Sequence, residues 1–478
     1  MDNKAYNIGA ERPREECGVV AVYSQREETS RLAFFGLYAL QHRGQESAGI
    51  ASADLHDIHV HTDMGLVSQV FREDSLSNLK GHLVIGHTRY STTGSSNPCN
   101  AQPILVEGIH GKLALANNGN IINASKLKTQ QQSEWNCSYA STTDSEVLAH
   151  QLANSPGADW HDRVKQFMRT VQGAYSMVAL TKDTLIAARD PLGIRPLCLG
   201  KWQDGWIVAS ETCALDHVGA EFVKELDPGE IVTICDGRLE TSLYTLTPNP
   251  RRLCVFELIY FARPDSKLDD HLVYSVRKQL GAQLAREHPV DADLVIGVPD
   301  SSTSAAVGYS VESGIPFSDG LIKNRYVGRT FIEPEQSLRD IGVRQKFNPL
   351  TEVIAGKRLV VVDDSIVRGT TTPHVVNLLK KSGATEVHLR VCAPPIKHPC
   401  YMGVDMASRE ELIASNKSIK EIKDYIKCDS LGYLSVENLL KVVANKSGGF
   451  CDACFTGNYP VPVQLEMTKL SLEHTEAR

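Results

Sequence analysis

The chain lacks a long apolar run and an excess of basic residues. None of its 478 residues lie in a stretch approaching the roughly 18–20 consecutive apolar residues that a membrane-spanning helix needs. The net charge of −7 argues against a protein that holds nucleic acid through phosphate contacts. Residues 1–16 also lack the apolar core of a secretory signal. We therefore expect a cytoplasmic protein with neither a membrane nor a nucleic acid as partner.

Internal repeats and several nucleotide-binding patterns are also missing. The sequence has no repeat of 20–50 residues, no low-complexity stretch, no P-loop pattern G-x-x-x-x-G-K-[ST] and no flavin or nicotinamide fingerprint. Its length and its 42% hydrophobic content suit two domains or slightly more. The twelve cysteines occur without a secretory signal, so clusters of them indicate catalysis or metal binding rather than disulfides.

The first half of the chain has the pattern of antiparallel sheet with helices packed on it. Short apolar runs separated by turn residues lie at 17–23, 82–87, 112–116, 174–180 and 184–188. Residues 31–43 have helical spacing and stop at Gly44, and Thr143 with Glu146 predicts a capping box before a second helix. These patterns predict an α+β layered domain.

The second half changes to alternating strands and helices. Predicted strands at 293–298, 358–362 and 386–392 are separated by predicted helices at 304–311, ending at Gly314, and 373–381. Such alternation predicts an α/β domain with a parallel sheet. Prolines at 248 and 250 place the boundary near 250, and the charged stretch 333–349 is predicted to be a mobile loop. The expected division is a leader 1–16, domains 17–250 and 251–462, and a tail 463–478.

Residues 358–372 suggest a binding site for a phosphorylated sugar. A buried strand ends in Asp363 and Asp364, at the sheet edge where α/β folds bind ligands. Adjacent carboxylates suit the hydroxyls of a ribose, and the loop that follows opens a helix whose free N–H groups can hold a phosphate. The loop residues with this potential are Ser365, Arg368, Gly369, Thr370 and Thr371. Taken from the residues alone, a magnesium-binding strand of a nucleotidase is an alternative.

Residues 361–371 resemble the signature of the phosphoribosyltransferases, which bind phosphoribosyl pyrophosphate (PRPP) with Mg²⁺. The resemblance implies that Ser301 lies in the loop that binds the pyrophosphate. It also implies that Lys323, Arg325 and Arg329 begin a mobile basic flap, which would favour departure of the anionic pyrophosphate. Each of these flap residues could instead belong to an ordinary solvated loop.

Cys17 begins an apolar strand, where a lone cysteine is usually a small buried residue. Together with residues 41–50, 85–94, 117–120 and 141–146, however, it resembles the N-terminal-nucleophile glutamine amidotransferases. The resemblance implies that residues 1–16 form a propeptide whose removal frees the α-amine of Cys17. That amine could act as the base for the thiol, because their ordinary pKa values, about 7.7–8.0 and about 8.5, are close.

The same resemblance implies roles for four further residues. Asn118 and the backbone N–H of Gly119 would stabilise the oxyanion, typically by about 3–4 kcal/mol per donor. Arg89 would bind the α-carboxylate of glutamine, and Asp144 its α-ammonium. Taken singly, Arg89 could be a strand-end salt bridge and Asp144 a helix cap. Asn117 departs from the family pattern, in which histidine is expected.

A second group of cysteines comes from three distant stretches. Cys451 and Cys454 form a C-x-x-C pair, which alone could be redox-active or half of a zinc site. Cys254 and Cys400 lie in segments that resemble a branch of the same family, in which four such cysteines bind a 4Fe–4S cluster. Structural zinc is the alternative.

Both halves together, over roughly residues 17–462, resemble the glutamine phosphoribosylpyrophosphate amidotransferase family. The resemblance implies the first committed step of purine biosynthesis, in which ammonia from glutamine displaces pyrophosphate from PRPP. It also implies a homo-oligomer with purine nucleotide feedback inhibitors. A hexosamine-forming amidotransferase would lack residues 361–371. A non-catalytic nucleotide-sensing regulator would not need an intact set of Cys17, Arg89, Asn118 and the Asp363–Asp364 pair.

Overall fold

The computed structural model describes residues 17–26, 28–90, 95–245, 250–324, 347–406, 408–444, 448–463 and 472. The predicted leader, the flap residues Arg325 and Arg329, most of the predicted loop 333–349 and all of the predicted tail except 463 and 472 lie outside the described residues. None of the helices described is both long enough and apolar enough to span a membrane.

The first half forms two antiparallel sheets. In chain order its strands are β1 (Gly18–Tyr23), β2 (Ser47–Ala53), β3 (Ile58–Met64), β4 (Leu83–Arg89), β5 (Ile104–Gly108), β6 (Gly111–Ile121), β7 (Gly173–Leu180), β8 (Thr184–Arg189), β9 (Cys198–Trp202), β10 (Gly205–Ala209), β11 (Glu221–Glu225), β12 (Glu230–Cys235) and β13 (Arg238–Leu243). One sheet has the order β11-β9-β10-β1-β4-β2-β3, and the other β13-β12-β8-β7-β6-β5.

The helices of the first half cover the outer faces of these sheets. They are α1 (Thr29–Ala39), α2 (Val67–Val70), α3 (Glu73–Asn78), α4 (Ala124–Trp135), α5 (Asp144–Ala153), α6 (Trp160–Thr170) and α7 (Thr212–Val218). Side chains alternate along β1: Val19 packs between the two sheets, whereas Val20 packs against Leu37 of α1. On the far side, Leu115 of β6 packs with Val147 of α5. The predicted α+β layered fold is confirmed.

Two details of the predicted helices are wrong. Helix α1 ends at Ala39 rather than Arg43, because residues 40–43 form turns that carry the Arg43 guanidinium into a buried cluster of carboxylates. Helix α5 begins as predicted, but the capping box does not form. The Glu146 carboxylate instead accepts hydrogen bonds from the N–H groups of Ala140 and Ser141, in the loop before the helix.

The second half contains a parallel sheet. Its strands are β14 (Arg251–Cys254), β15 (Lys267–Leu268), β16 (His271–Leu272), β17 (Leu294–Gly297), β18 (Leu321–Lys323), β19 (Phe347–Pro349), β20 (Arg358–Asp363), β21 (Glu386–Val391), β22 (Ser430–Tyr433) and β23 (Gly448–Cys451). Strands β17, β20, β21 and β22 are neighbours in that order, and all pair in parallel. The predicted α/β fold is confirmed.

Helices separate the parallel strands, as the alternating pattern predicts. They are α8 (Val273–Glu287), α9 (Thr303–Ser313), α10 (Thr351–Ile354), α11 (Thr372–Lys381), α12 (Ile413–Asn416), α13 (Ile419–Ile426), α14 (Val436–Val443) and α15 (Ala453–Thr456). Gly314 ends α9 in the left-handed conformation, which confirms its predicted position as a helix stop. The two faces of β20 are buried in different clusters, since Val360 packs with Leu280 of α8 and Val361 with Leu379 of α11.

Candidate functional site

Four elements of the first half meet around a small polar pocket. The start of β1, the end of β4, the middle of β6 and the start of α5 all reach it. The pocket is lined by Cys17, Arg89, Tyr90, Gln102, Asn117, Gly119, Thr143, Asp144 and Ser145. The structure thus brings together Cys17, Arg89, Gly119 and Asp144, which come from four separate stretches of the sequence.

Cys17 lies at the buried end of β1, with its thiol against the backbone of Tyr90. The thiol donates to the Tyr90 carbonyl at 3.3 Å, and the Tyr90 N–H approaches the sulfur at 3.5 Å. Burial raises the pKa of the Cys17 thiol to about 11, although Arg89 nearby acts in the opposite direction. No histidine is among the described residues that line the pocket. At neutral pH the thiol is therefore protonated, and a nucleophilic role requires a base from elsewhere.

Two adjacent asparagines of this region, Asn117 and Asn118, are buried, and neither side-chain amide has a hydrogen-bond partner among the described residues. Asn117 lines the pocket, whereas the lining does not include the predicted oxyanion donor Asn118. Leaving a buried amide unpaired costs about 1–3 kcal/mol, so such a group in a native fold calls for a ligand. A negatively charged oxygen of a bound reactant would be a partner of the required kind.

The backbone next to Asn118 is held by two side chains. β5 pairs with β6 only as far as Leu115, so the strand edge beyond it is open. At Asn117 the N–H donates to Gln102 Oε1 at 2.9 Å, and the carbonyl lies 3.1 Å from His87 Nε2. Burial lowers the pKa of His87 to about 3, so its ring is neutral and can donate one N–H to that carbonyl.

Gly119 follows on the same strand, with a φ of +153°. A Cβ atom built there would lie 2.0 Å from the carbonyl oxygen of Ala174 on β7, so the strand can take this path only with glycine. The backbone of residue 119 thereby reaches the pocket wall.

Arg89 and Asp144 give the pocket one positive and one negative wall. Arg89 is 2% exposed, donates from Nη1 to the Ser95 carbonyl at 3.2 Å, and lies 3.7 Å from the Glu46 carboxylate. Asp144 accepts from the Ile121 N–H at 3.0 Å, and its burial raises the pKa of the carboxyl to about 6. A ligand with both a carboxylate and an ammonium group would match this pair of charges.

A buried ion network connects this pocket to the second half of the chain. Arg43 donates from Nε to the Cys17 carbonyl at 3.1 Å and from Nη1 to Glu211 at 2.5 Å. Its Nη2 also donates to Glu257 at 2.8 Å, and Glu257 lies 3.7 Å from Arg195. All four charged side chains are fully buried. The position of Cys17 therefore depends on a carboxylate that follows β14.

The second candidate site lies at the carboxyl end of the parallel sheet. Asp363 ends β20 and Asp364 follows it directly. Both are buried, and their carboxylates already accept hydrogen bonds within the protein. Ser301 donates to Asp364 Oδ2 at 2.5 Å, Ser365 donates to Asp364 Oδ1 at 2.7 Å, and Ser302 donates to Asp363 at 3.3 Å. The structure thus brings the predicted pyrophosphate loop beside the predicted ribose carboxylates.

The loop of residues 365–371 continues from this strand into α11. Thr371 precedes the first residue of the helix, while Thr370 is exposed and Gly369 has a φ of +70°. Arg368 pairs with Glu411 at 3.2 Å, and Lys323 pairs with Asp300 at 3.1 Å. The loop therefore ends at the start of a ten-residue helix, where free N–H groups favour an anion.

Four cysteines line a mostly apolar cavity in the second half of the chain. β14 and β23 pair in parallel, which places Cys254 directly opposite Cys451. Cys454 lies in α15, and the thiol of Cys400 accepts from the Met402 N–H at 3.3 Å. Lining the cavity with these cysteines are Phe256, Met402, Val404, Met406, Ala453 and Tyr459. The four predicted ligands therefore meet in space.

Among the residues that the structure describes, no group of three or more His, Cys, Asp or Glu side chains is arranged to hold a metal ion. The four thiols nevertheless share one cavity, as both an iron–sulfur cluster and structural zinc require.

Sequence reasoning missed several residues that shape the first pocket. Gln102 and His87 hold the backbone of Asn117, and the Tyr90 backbone holds the thiol of Cys17. His87 and Tyr90 flank Arg89 within two residues, which is a signal that could have found them. Gln102 has no recognisable signal, because its contact depends on where β5 stops pairing.

Comparison with known proteins gives matches in both halves. Residues 87–217 match the family described as glutamine amidotransferase domain, and residues 268–427 match the phosphoribosyl transferase domain. An amidophosphoribosyltransferase of Synechococcus elongatus is 50% identical over 475 residues, which cover 98% of this chain and 96% of that protein. The amidophosphoribosyltransferase of Bacillus subtilis is 47% identical, with coverage of 94% and 95%.

Solved structures agree over nearly the whole chain. The glutamine PRPP amidotransferase from B. subtilis complexed with ADP and GMP has a TM-score of 0.88 at 45% identity, covering 95% of this chain and 99% of that one. A structure described as the allosteric regulatory enzyme of purine biosynthesis has a TM-score of 0.89 at 46% identity, with coverage of 95% and 98%.

Proposed function

Because the chain belongs to the amidophosphoribosyltransferase family, we propose that its two candidate sites carry the two halves of one reaction. The enzyme transfers the amide nitrogen of glutamine to PRPP in purine biosynthesis, giving 5-phosphoribosylamine, glutamate and pyrophosphate. In our proposal residues 17–250 release the ammonia and residues 251–462 use it. The observation that carries the assignment of the first site is a pocket that holds the buried Cys17 thiol and the backbone of Gly119 between the oppositely charged Arg89 and Asp144, next to the unpaired amides of Asn117 and Asn118.

In the first site, Arg89 holds the α-carboxylate of glutamine and Asp144 its α-ammonium. Once residues 1–16 are removed, the free α-amine of Cys17 takes the thiol proton, which the raised pKa of the thiol makes necessary. The thiolate then forms a bond to the amide carbon, and the carbonyl oxygen becomes an oxyanion. The Asn118 amide and the Gly119 N–H donate to that oxygen, which gives Asn118 the partner that it lacks.

The intermediate collapses when the leaving nitrogen takes the proton held by the amine. Ammonia departs, and glutamate remains joined to Cys17 as a thioester. Water then attacks the thioester carbon through an oxyanion at the same place, which releases glutamate and restores the thiol. No group in this sequence changes its oxidation state.

In the second site, Asp363 and Asp364 accept from the ribose hydroxyls of PRPP. Ser365, Arg368, Gly369, Thr370 and Thr371 surround its 5-phosphate, and Ser301 contacts the pyrophosphate. Ammonia attacks C1 of the ribose as the bond from C1 to the pyrophosphate oxygen breaks, and the nitrogen then loses a proton. Lys323, with Arg325 and Arg329 of the flap, would cover the pyrophosphate.

The side chains of the second site fit Mg²⁺, because hard carboxylate and hydroxyl oxygens converge there beside a phosphate site. Asp363, Asp364 and Ser301 would hold the ion together with PRPP. When bound, Mg²⁺ neutralises charge on the departing pyrophosphate.

We propose that ammonia passes between the sites inside the protein. Support comes from the segment of residues 257–266, which contacts both halves. Its Glu257 reaches Arg43 beside Cys17, while its Leu258 and Ala262 carbonyls accept from Arg277, a buried residue of α8 close enough to Asp364 to interact electrostatically.

Cys254, Cys400, Cys451 and Cys454 are proposed to hold a 4Fe–4S cluster, on the basis of their common cavity. When bound, the cluster would act as a structural clip between β14 and the end of the chain. Iron and sulfide analysis of protein purified without oxygen tests this proposal. Colourless, fully active protein with one zinc ion per chain would contradict it.

We further propose that the enzyme is a cytoplasmic homo-oligomer inhibited by purine nucleotides. The B. subtilis protein complexed with ADP and GMP supports the nucleotide part. The alternative of a non-catalytic regulator is not favoured, because one pocket contains Cys17, Arg89, Gly119 and Asp144.

Two measurements on the unaltered protein test the proposed function. Glutaminase activity should depend on PRPP, and phosphoribosylamine should form from either glutamine or ammonia. Intact mass should show a chain that starts at Cys17. A fully active chain that keeps residues 1–16 would contradict the amine as base, and a protein that binds PRPP without turning over either nitrogen source would contradict catalysis.

A further inference from the structure

A turn of the second half packs on the strand that carries the proposed oxyanion donors. The turn consists of residues 401–403, here called the 401–403 turn, and follows Cys400 directly. The side-chain amide of Asn120 donates to the Tyr401 carbonyl at 2.9 Å. Asn120 is buried and lies next to Gly119 on β6. The two hydrogen-bonded residues are 281 positions apart in the sequence, and one of them directly follows the proposed oxyanion donor Gly119.

Gly403 brings the turn against Gly119 itself. A Cβ atom built on Gly403 would lie 2.9 Å from both the Cα and the carbonyl carbon of Gly119, closer than real Cβ atoms approach other atoms. Its φ of +104° is also one that other residues rarely adopt. The two glycine backbones thus meet with no side chain between them, so a shift of the turn must displace residue 119 or lose the contact.

Met402, the middle residue of the turn, is held by a hydrogen bond from the first half of the chain. Arg195, fully buried, donates from Nε to the Met402 carbonyl at 2.9 Å. The Arg195 carbonyl in turn accepts from Ser176 at 3.1 Å, and Ser176 is the partner of Asn118 in the pairing of β6 with β7. The turn is therefore connected to both proposed donors, to Gly119 by direct packing and to Asn118 through β7.

We propose that the 401–403 turn is a positioning element for the oxyanion donors of the glutaminase site. It touches neither glutamine nor the thiol, and acts by holding the backbone of Gly119 and Asn120 in place. The inference rests on the roles proposed above for Asn118 and Gly119. It makes the first half-reaction dependent on residues of the second half, while ammonia-dependent synthesis does not need the turn.

Two substitutions break the contact in different ways, and each has a matched control. Asn120→Asp keeps the shape and removes the donor to Tyr401, whereas Asn123→Asp removes an equivalent amide bond to the Thr170 carbonyl within the first half. Gly403→Ala adds a methyl group against Gly119. Its control is Gly219→Ala, a left-handed glycine of the first half with no heavy atom within 4 Å of an added Cβ.

The glutaminase kcat should fall about 100-fold in Gly403→Ala, as expected for displacement of a catalytic group by a fraction of an ångström to 1 Å. It should fall up to about 10-fold in Asn120→Asp, for loss of one neutral hydrogen bond. The KM for glutamine, ammonia-dependent synthesis and the rate of Cys17 alkylation by iodoacetamide should stay unchanged, as should all activities of the two controls.

A tetrahedral adduct separates positioning from general loosening of the fold. The aldehyde analogue of glutamine, L-glutamic acid γ-semialdehyde, adds the thiol to its carbonyl and places the resulting oxygen at the donors. Its affinity should fall in the same ratio as kcat, whereas affinity for L-glutamate should not change. Aldehyde affinity that is unchanged in Asn120→Asp, or equal losses of glutamine- and ammonia-dependent activity, would overturn the positioning role. Absence of glutaminase activity in the unaltered enzyme would instead defeat the proposed function.

Discussion

The two candidate sites prepare for their substrates in opposite ways. At the glutaminase pocket the buried side-chain amides of Asn117 and Asn118 have no partner among the described residues, so the fold already carries the cost of unmade hydrogen bonds. At the end of β20 the carboxylates of Asp363 and Asp364 are satisfied by Ser301, Ser302 and Ser365. In the first site the Asn118 amide gains a hydrogen-bond partner only when the oxyanion forms during the reaction. In the second site the carboxylates must give up hydrogen bonds from serines before they can accept hydrogen bonds from the substrate.

This difference has an energetic meaning. Donors fixed in advance toward a developing oxyanion need no rearrangement when the charge forms, so they act mainly on kcat. Groups that must release internal partners before they hold a ribose lose part of each new bond's free energy. Substitutions in the first site should therefore have larger effects, confined to glutamine use, and those in the second should have smaller effects on both nitrogen sources.

The largest effect is expected for Cys17→Ala. Glutamine-dependent activity should fall about 10⁴-fold or more, because the nucleophile itself is lost. Ammonia-dependent synthesis of phosphoribosylamine should continue, since only the first site uses the thiol. Steady-state assays with each nitrogen source measure both. Loss of both activities in a variant with an unchanged circular dichroism spectrum would contradict the division into two sites.

Asn118→Ala should lower the glutaminase kcat by about 10²–10³, the usual effect of removing one oxyanion donor. Thermal stability should rise or stay the same, because an unpaired buried amide disappears. Calorimetry and single-turnover kinetics test the pair of outcomes. A variant that is destabilised by several degrees while keeping its kcat would show that Asn118 serves the fold instead.

Asp363→Asn and Asp364→Asn should each lower kcat/KM for PRPP about 10- to 150-fold, which corresponds to about 1.5–3 kcal/mol for a hydrogen bond to a charged group. Asp363→Asn keeps the Oδ1 atom that accepts from Ser302, whereas Asp364→Asn keeps only one of the two oxygens that accept from Ser301 and Ser365. We therefore expect Asp363→Asn to preserve the fold best. The loss should be equal with glutamine and with ammonia. An unchanged kcat/KM for PRPP in both variants would rule out a contact between these carboxylates and the ribose hydroxyls.

The smallest effect concerns pH. Burial raises the pKa of Asp144 to about 6, so below that pH the carboxyl gains a proton and loses the charge that holds the glutamine ammonium. In Cys17→Ala, which binds glutamine without consuming it, the dissociation constant should rise about tenfold per pH unit below 6. Titration calorimetry measures it. When Cys17→Ala is combined with Asp144→Asn, glutamine binding should be weak and independent of pH. If the dissociation constant of this double variant still rises below pH 6, the group that titrates is not Asp144.

Sequence patterns predicted both fold classes because local signals and the final packing agree. The short apolar runs of the first half, such as that of β1, and the alternation of strands and helices after residue 293 could be recognised without knowledge of tertiary contacts. The four cysteines were also predictable as a set, and β14 and β23 place Cys254 opposite Cys451. Their meeting could not have been derived from spacing, because it depends on the pairing of strands almost 200 positions apart.

The failures have a common physical cause, which is competition from distant partners. Glu146 has the spacing for a capping box, but two N–H groups of the preceding loop take its carboxylate. The helical pattern of residues 31–43 continues past Ala39, but buried carboxylates on other elements draw Arg43 away. The role of Gln102 is likewise set by the point at which a neighbouring strand stops pairing.

The Arg43–Glu257 pair limits how such an enzyme can be rearranged by gene fusion. Its cation belongs to the amidotransferase half and one of its two carboxylates to the other, and both are sealed from water. A chain ending at residue 250 would leave Arg43 and Arg195 without Glu257, and breaking a buried ion pair by removing one partner costs about 3–5 kcal/mol. An amidotransferase half taken from another enzyme would therefore need a nucleophile and also an arginine placed so that its guanidinium contacts Glu257. The two halves match different families, but one can be exchanged only if the ion pair that joins them is kept.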